Sequence, residues 1–132
     1  MRRVLIVDDN KTLQKIIARI VASKLHVLPF GSDGNEGVEL FIKHRPDLVL
    51  LDITMPNCNG KQCLEKILSI DPAAIVIMVS GLSDETTVSD CLGIGAKGFI
   101  NKSTISLQNE NSKNSLMDTI EKFLPEQLSR AA

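Results

Sequence analysis

Three short runs of the chain are apolar without interruption: Val4–Val7, Leu48–Leu51 and Ile75–Val79. Runs of this length, rich in Val, Ile and Leu, fit strands buried on both faces of a parallel sheet, where neither side needs polar residues. Two weaker runs, His26–Pro29 and Gly98–Asn101, fit strands nearer a sheet edge. Between them the period changes. Leu13, Ile16, Ile17, Ile20 and Val21 follow the i, i+3, i+4, i+7, i+8 spacing of one buried helical stripe. Val38, Phe41 and Ile42 predict a second helix, Leu64, Ile67 and Leu68 a third, and Val88, Cys91 and Leu92 a fourth with Ser83 as its N-cap. Leu116, Ile120, Phe123 and Leu124 predict a fifth. Gly31, Gly34, Pro46, Pro72, Gly95 and Gly98 fall between elements as breakers. Five alternations of strand and helix call for a parallel sheet with helices on both faces and right-handed crossovers.

Composition narrows the function. The chain has 132 residues, 43% of them apolar, enough for one domain with a real core (residues 1–132), and neither an internal repeat nor an interdomain linker is evident. A net charge of −1 without a basic tract, and the absence of Trp and Tyr, remove the electrostatic and stacking arguments for nucleic acid or an anionic membrane surface. No apolar run reaches the length of a bilayer span, and the one after the basic start MRR is too short for a signal peptide. A cytoplasmic protein is expected. Cys58, Cys63 and Cys91 are an odd count that reads as free thiols, and with His26 and His44 they match no zinc spacing.

The polar residues at the strand ends carry the chemistry. VLIVDDN puts Asp8 and Asp9 directly after the first strand. Asp52 ends the third strand, Ser80 the fourth, and Lys102 comes after the fifth. In open α/β sheets ligands bind beyond the carboxyl ends of the strands, so these residues meet at one edge. Three carboxylates there raise one another's pKa unless a cation joins them, and oxygen ligands of this kind suit Mg²⁺ (Mn²⁺ is the alternative). A lysine and a hydroxyl beside them suit a phosphoryl group, and an Asp carboxylate can itself be the nucleophile that accepts one. Singly, each residue has an ordinary reading: an acidic turn with Asn10 as helix cap, a core Phe99, a surface Lys102. The set in order is what points to chemistry.

That set resembles the receiver domain of two-component response regulators, in its single-domain chemotaxis-type form. The matching stretches are VLIV with Asp8 and Asp9, LVLLD-ITMP with Asp52, VSG with Ser80, and GAKGFINK with Phe99 and Lys102. The resemblance is close over residues 2–102 and loose over the last helix. It implies a flavodoxin-like, doubly wound, three-layer α/β/α fold with strand order 2-1-3-4-5 and five helices. It implies Asp52 as phosphoacceptor. Mg²⁺ would be held by Asp9 directly, by Asp8 through water, by Asp52 and by the backbone carbonyl of Thr54. Lys102 would pair with the carboxylate and then the phosphoryl group, Ser80 would hydrogen-bond a phosphoryl oxygen, and Phe99 would be the switch aromatic whose rotamer follows Ser80.

The expected function is a phosphorylation switch, not an enzyme turning over a separate substrate. The donor is a histidine kinase or phosphotransfer protein, a phosphatase is a further candidate partner, and a downstream protein docks on the face of the fourth helix, fifth strand and fifth helix. The nine residues after Phe123 are too few to fold alone, with 125–132 a short tail, so output is expected through docking or onward phosphotransfer. Two rivals are weaker. A Mg²⁺-dependent phosphohydrolase with an Asp nucleophile normally has a second acid where this chain has Thr54, and a flavodoxin-like ligand-binding module would need a phosphate loop where Asp8 and Asp9 stand.

Two departures from the family's pattern stand out. Ser103 comes after the lysine where the family usually has Pro, and the polar stretch 103–115 predicts a longer loop before the last helix. A cis bond, common in the family after that lysine, costs about 2.5–4 kcal/mol without proline. Domains have only about 5–15 kcal/mol to spare, so Lys102–Ser103 is expected to be trans.

Overall fold

The computed structural model describes residues 2–53, 55, 59–81, 85–105 and 110–124. Strands β1 (Arg3–Val7), β2 (His26–Val27), β3 (Leu48–Asp52), β4 (Val76–Ser80) and β5 (Gly98–Asn101) form one parallel sheet in the order β2-β1-β3-β4-β5. Helices α1 (Lys11–Val21), α2 (Gly34–His44), α3 (Gly60–Ile70), α4 (Glu85–Ile94) and α5 (Glu110–Phe123) alternate with the strands. The expected fold is the observed one.

Alternate residues of the apolar strands feed two separate cores. Leu5, Val7, Val49, Leu51, Val76 and Met78 pack with Phe41, Leu64, Ile67 and Val88, so α2, α3 and α4 cover that face. Val4, Ile6, Leu48, Leu50, Ile77 and Val79 pack with Leu13, Ile17, Leu116 and Ile120, which places α1 and α5 on the other. Central strands covered twice explain the uninterrupted apolar runs. Among the described residues no helix is long and apolar enough to cross a membrane.

Local departures have physical causes. The expected strand His26–Pro29 is only His26–Val27, although Leu28 N–H still donates to the Val4 carbonyl at 3.0 Å. After Leu28 the pairing slips by one residue: the Gly31 N–H, and not that of Phe30, donates to the Ile6 carbonyl at 3.0 Å, and contact resumes at the Val7–Gly31 bridge. Ile42 and Leu92, assigned to buried stripes, are 51% and 40% exposed. In α2 the buried positions are Gly34, Gly37 and Phe41. A Cβ on Gly37 would lie 2.8 Å from Val7 Cγ1, so the helix sits close on β1 along its glycine face and turns Ile42 outward. The 103–115 loop is also a correction. Lys102–Thr104 form a 3₁₀ turn and α5 begins at Glu110, so the polar residues after it belong to the helix. Among the described residues no peptide bond is cis, and Lys102–Ser103 is trans as expected. The expected cap Ser83 and the thiol Cys58 lie outside the described residues. Cys63 and Cys91 are buried and not joined in a disulfide.

Candidate functional site

The buried polar side chains among the described residues are Asp8, Gln14, Asp52 and Ser80. All four gather at the carboxyl edge of the sheet. Parallel register sets them there: Val7 lies beside Leu51, Asp52 beside Val79 and Ser80 beside Asn101, so each strand delivers its polar residue to the same level.

One carboxylate oxygen each from Asp8, Asp9 and Asp52 lies within 4.8 Å of the others. Asp8 and Asp52 are 1% exposed and Asp9 is on the surface, which gives the cluster an inner and an open side. Lys102 Nζ reaches Asp52 Oδ1 at 2.9 Å and Asp8 Oδ2 at 3.4 Å. Asp8 Oδ1 accepts the Asn10 N–H at 2.8 Å, whereas the buried Oδ2 faces Lys102 at the longer distance.

Burial, the largest influence, pushes the Asp8 carboxyl above its usual value; the Asn10 N–H and then Lys102 pull the other way without prevailing. Burial works against the Lys102 charge too. There the hydrogen bond and charge of Asp52, then those of Asp8, prevail and hold it above the ordinary lysine value. One lysine therefore answers two buried carboxylates and leaves a negative remainder. Two buried carboxylates and an exposed one, an all-oxygen cluster open on one side with a single lysine against it, fit a hard divalent cation that keeps some of its water. Asp8, Asp9 and Asp52 are the protein side of that fit; the Thr54 carbonyl lies outside the described residues.

Three supports were not evident in the sequence. Gln14 sits within the α1 stripe and is 3% exposed. Its Nε2 donates to the Asp8 carbonyl and, at 3.3 Å, to the Gly31 carbonyl, tying α1 to the loops after β1 and β2. Gly60 opens α3 against the backbone of the third strand's end. Its N–H donates to the Ile53 carbonyl at 2.8 Å, and a Cβ there would lie 2.3 Å from the Asp52 carbonyl oxygen. Asn101, expected only as a strand end, caps the turn that carries Lys102. A glutamine inside an apolar stripe looks like a helix flank, so no pattern would have found it. The glycine three residues after Asn57 looks like an ordinary breaker.

Ser80 is 3% exposed and lines a groove of about 360 Å³ with Gly81, Val88, Leu92, Phe99 and Asn101. Phe99, expected as the switch aromatic, stands 49% exposed at this groove. The expected site residues Asp8, Asp9 and Asp52 are thus gathered at one point with Lys102 against Asp8 and Asp52, Ser80 on the adjacent strand and Phe99 one strand further out.

Comparison with known proteins agrees with this geometry. Residues 4–110 match the response regulator receiver domain. The chain is 40% identical over 103 residues to the chemotaxis protein CheY of Listeria monocytogenes, covering 77% of this chain and 87% of that one. A chain in the CheX–CheY–BeF3–Mg complex of Borrelia burgdorferi superposes with a TM-score of 0.82 at 36% identity, covering 93% of this chain and 89% of that one. The response regulator domain of Thermotoga maritima CheB superposes with the same score and identity, covering 92% and 95%. A sheet of order 2-1-3-4-5 with an acidic cluster and a lysine at its carboxyl edge, matched by sequence and by structure to the same group, makes this chain a member of the response regulator receiver domain family, homologous to the CheY and CheB receivers of two-component signalling.

Proposed function

We propose that Asp52 is the phosphoacceptor of this receiver and that its phosphorylation changes a partner-binding face. The observation that carries the assignment is the Lys102 ammonium 2.9 Å from Asp52 Oδ1, inside a cluster of three carboxylates. The Asp52 carboxylate attacks the phosphorus of a phosphohistidine on a histidine kinase or phosphotransfer protein. The P–N bond breaks, its electron pair stays on the imidazole nitrogen, and Asp52 becomes an acyl phosphate. Asp8 and Asp9, with Asp52, would hold Mg²⁺, which would supply positive charge against the transferring oxygens. Lys102 follows the charge from the carboxylate to the phosphoryl group, and the Ser80 hydroxyl donates to a phosphoryl oxygen. Protein groups of this sort assist transfer to and from Asp52 without turning over another substrate.

The response arises from the groove. When Ser80 moves towards the phosphoryl group, the space beside it accepts the Phe99 ring, shifting a pre-existing equilibrium of the α4–β5–α5 face. Exposed Leu92 and Phe99 give that face its apolar contact area for a downstream protein. A phosphatase acting on the acyl phosphate is a further partner, in keeping with the CheX–CheY complex among the similar structures. Cys63 and Cys91, which form no disulfide, accord with a cytoplasmic location. Incubation with acetyl phosphate and then intact mass measurement tests the proposal. One phosphoryl group should be gained with Mg²⁺ and none after chelation; metal-independent or multiple labelling would count against it.

A further inference from the structure

We infer that Asn101 is a positioning residue that aims Lys102 at Asp52, a role resting on the proposed phosphorylation of Asp52. Its side-chain oxygen accepts two hydrogen bonds from Ser103, one from the backbone N–H at 2.9 Å and one from the hydroxyl at 2.8 Å. Its carbonyl accepts the Thr104 hydroxyl at 2.7 Å. The Ile105 N–H then closes on the Lys102 carbonyl at 3.1 Å, and the Ile105 side chain is buried.

Lys102 lies inside this ring of bonds. Its side chain has four rotatable bonds, so the direction in which it leaves the backbone decides whether Nζ reaches the carboxylates. The Asn101 cap fixes that direction at the point where β5 ends and the chain turns. The Ser103 N–H is itself part of the device, and a proline at 103 could not supply it. In this chain an asparagine before the lysine and a serine after it fix the turn through side-chain hydrogen bonds, with the Lys102–Ser103 bond trans.

The cap and the cation site call for different readouts. Lys102 and Mg²⁺ are both drawn to Asp8 and Asp52, so a displaced lysine hinders phosphoryl transfer without weakening the cation. Asn101→Leu keeps the volume and removes the acceptor. It should slow phosphorylation by acetyl phosphate at saturating Mg²⁺ by about tenfold, while the Mg²⁺ Kd measured by calorimetry stays unchanged or tightens. Asn101→Ser, a neutral residue that also caps well, should restore most of the rate. Asn101→Ala gives the same reading should the leucine variant fail to fold. An unchanged rate in the leucine or alanine variant overturns the inference, as does a rate loss accompanied by weaker Mg²⁺ binding, which would mark a general structural role. Failure of the wild-type chain to be phosphorylated would instead overturn the reading of Asp52.

Discussion

Lys102 Nζ lies 2.9 Å from Asp52 Oδ1, so the buried carboxylate already has a cation supplied by the protein. Lys102→Ala leaves that charge and the one on Asp8 without it. The metal-free protein should lose about 1.5–3 kcal/mol in urea unfolding, and Mg²⁺ should then stabilise the variant more than it stabilises wild type. The lysine's contribution is fully present below the ordinary lysine pKa and is lost only as pH rises through its raised folded value, so neutral pH suits the comparison. Equal stability of the two proteins would show that the ion pair does not stabilise the fold.

Asp8 is expected to act in the opposite sense. Its folded pKa is raised, chiefly by burial, so the native state holds the proton more tightly than the unfolded chain does. The stabilisation from that proton is complete below the unfolded value of 3.8 and is lost as pH rises through the folded value. Asp8→Asn should therefore be more stable than wild type at pH 7 without metal. The gain should shrink as pH falls towards that lower value, and Mg²⁺ binding should weaken at least several-fold. A less stable variant at neutral pH would show that the carboxylate is a structural anchor.

Gly60 has no room for a methyl group. Its Cβ would lie 2.3 Å from the Asp52 carbonyl oxygen and 2.6 Å from Ile53 Cα, both backbone atoms. Gly60→Ala should cost about 1–3 kcal/mol and slow phosphorylation of Asp52, because only a shift of α3 or of the strand end relieves the overlap. Thermal melts and labelling rates measured together check this. A fully stable, fully active variant would contradict the close packing.

Ser80 and Phe99 share one groove, and a relay between them is open to NMR. The phosphate mimic beryllium fluoride should shift amide signals across residues 80–102. Ser80→Ala should reduce the shifts near Phe99 while Asp52 remains phosphorylatable. Identical shifts in both proteins would take Ser80 out of the relay.

Sheet, helix order and the Asp8–Asp9–Asp52–Lys102 cluster were legible because a doubly covered parallel sheet writes uninterrupted apolar runs and brings the residues just past them to one edge. The features that sequence did not reveal depend on three-dimensional fit. Gln14 is polar yet buried because two loop carbonyls at the sheet edge need its amide. Ile42 is apolar yet exposed because the contact face of α2 runs through Gly37. The first turns of α5 carry no apolar stripe, so polar residues from Glu110 onward read as loop until the helix was seen. Asn101 looked like the end of a strand; its capping role exists only once the chain has turned.

The identity of the phosphoacceptor is tested most directly by trapping it. The chain is incubated with acetyl phosphate and Mg²⁺, reduced with borohydride, which converts an aspartyl phosphate to homoserine, and mapped by peptide mass. The modification should fall on Asp52 alone and vanish in Asp52→Asn. Modification of another carboxylate, or undiminished labelling of the Asp52→Asn protein, would contradict the assignment.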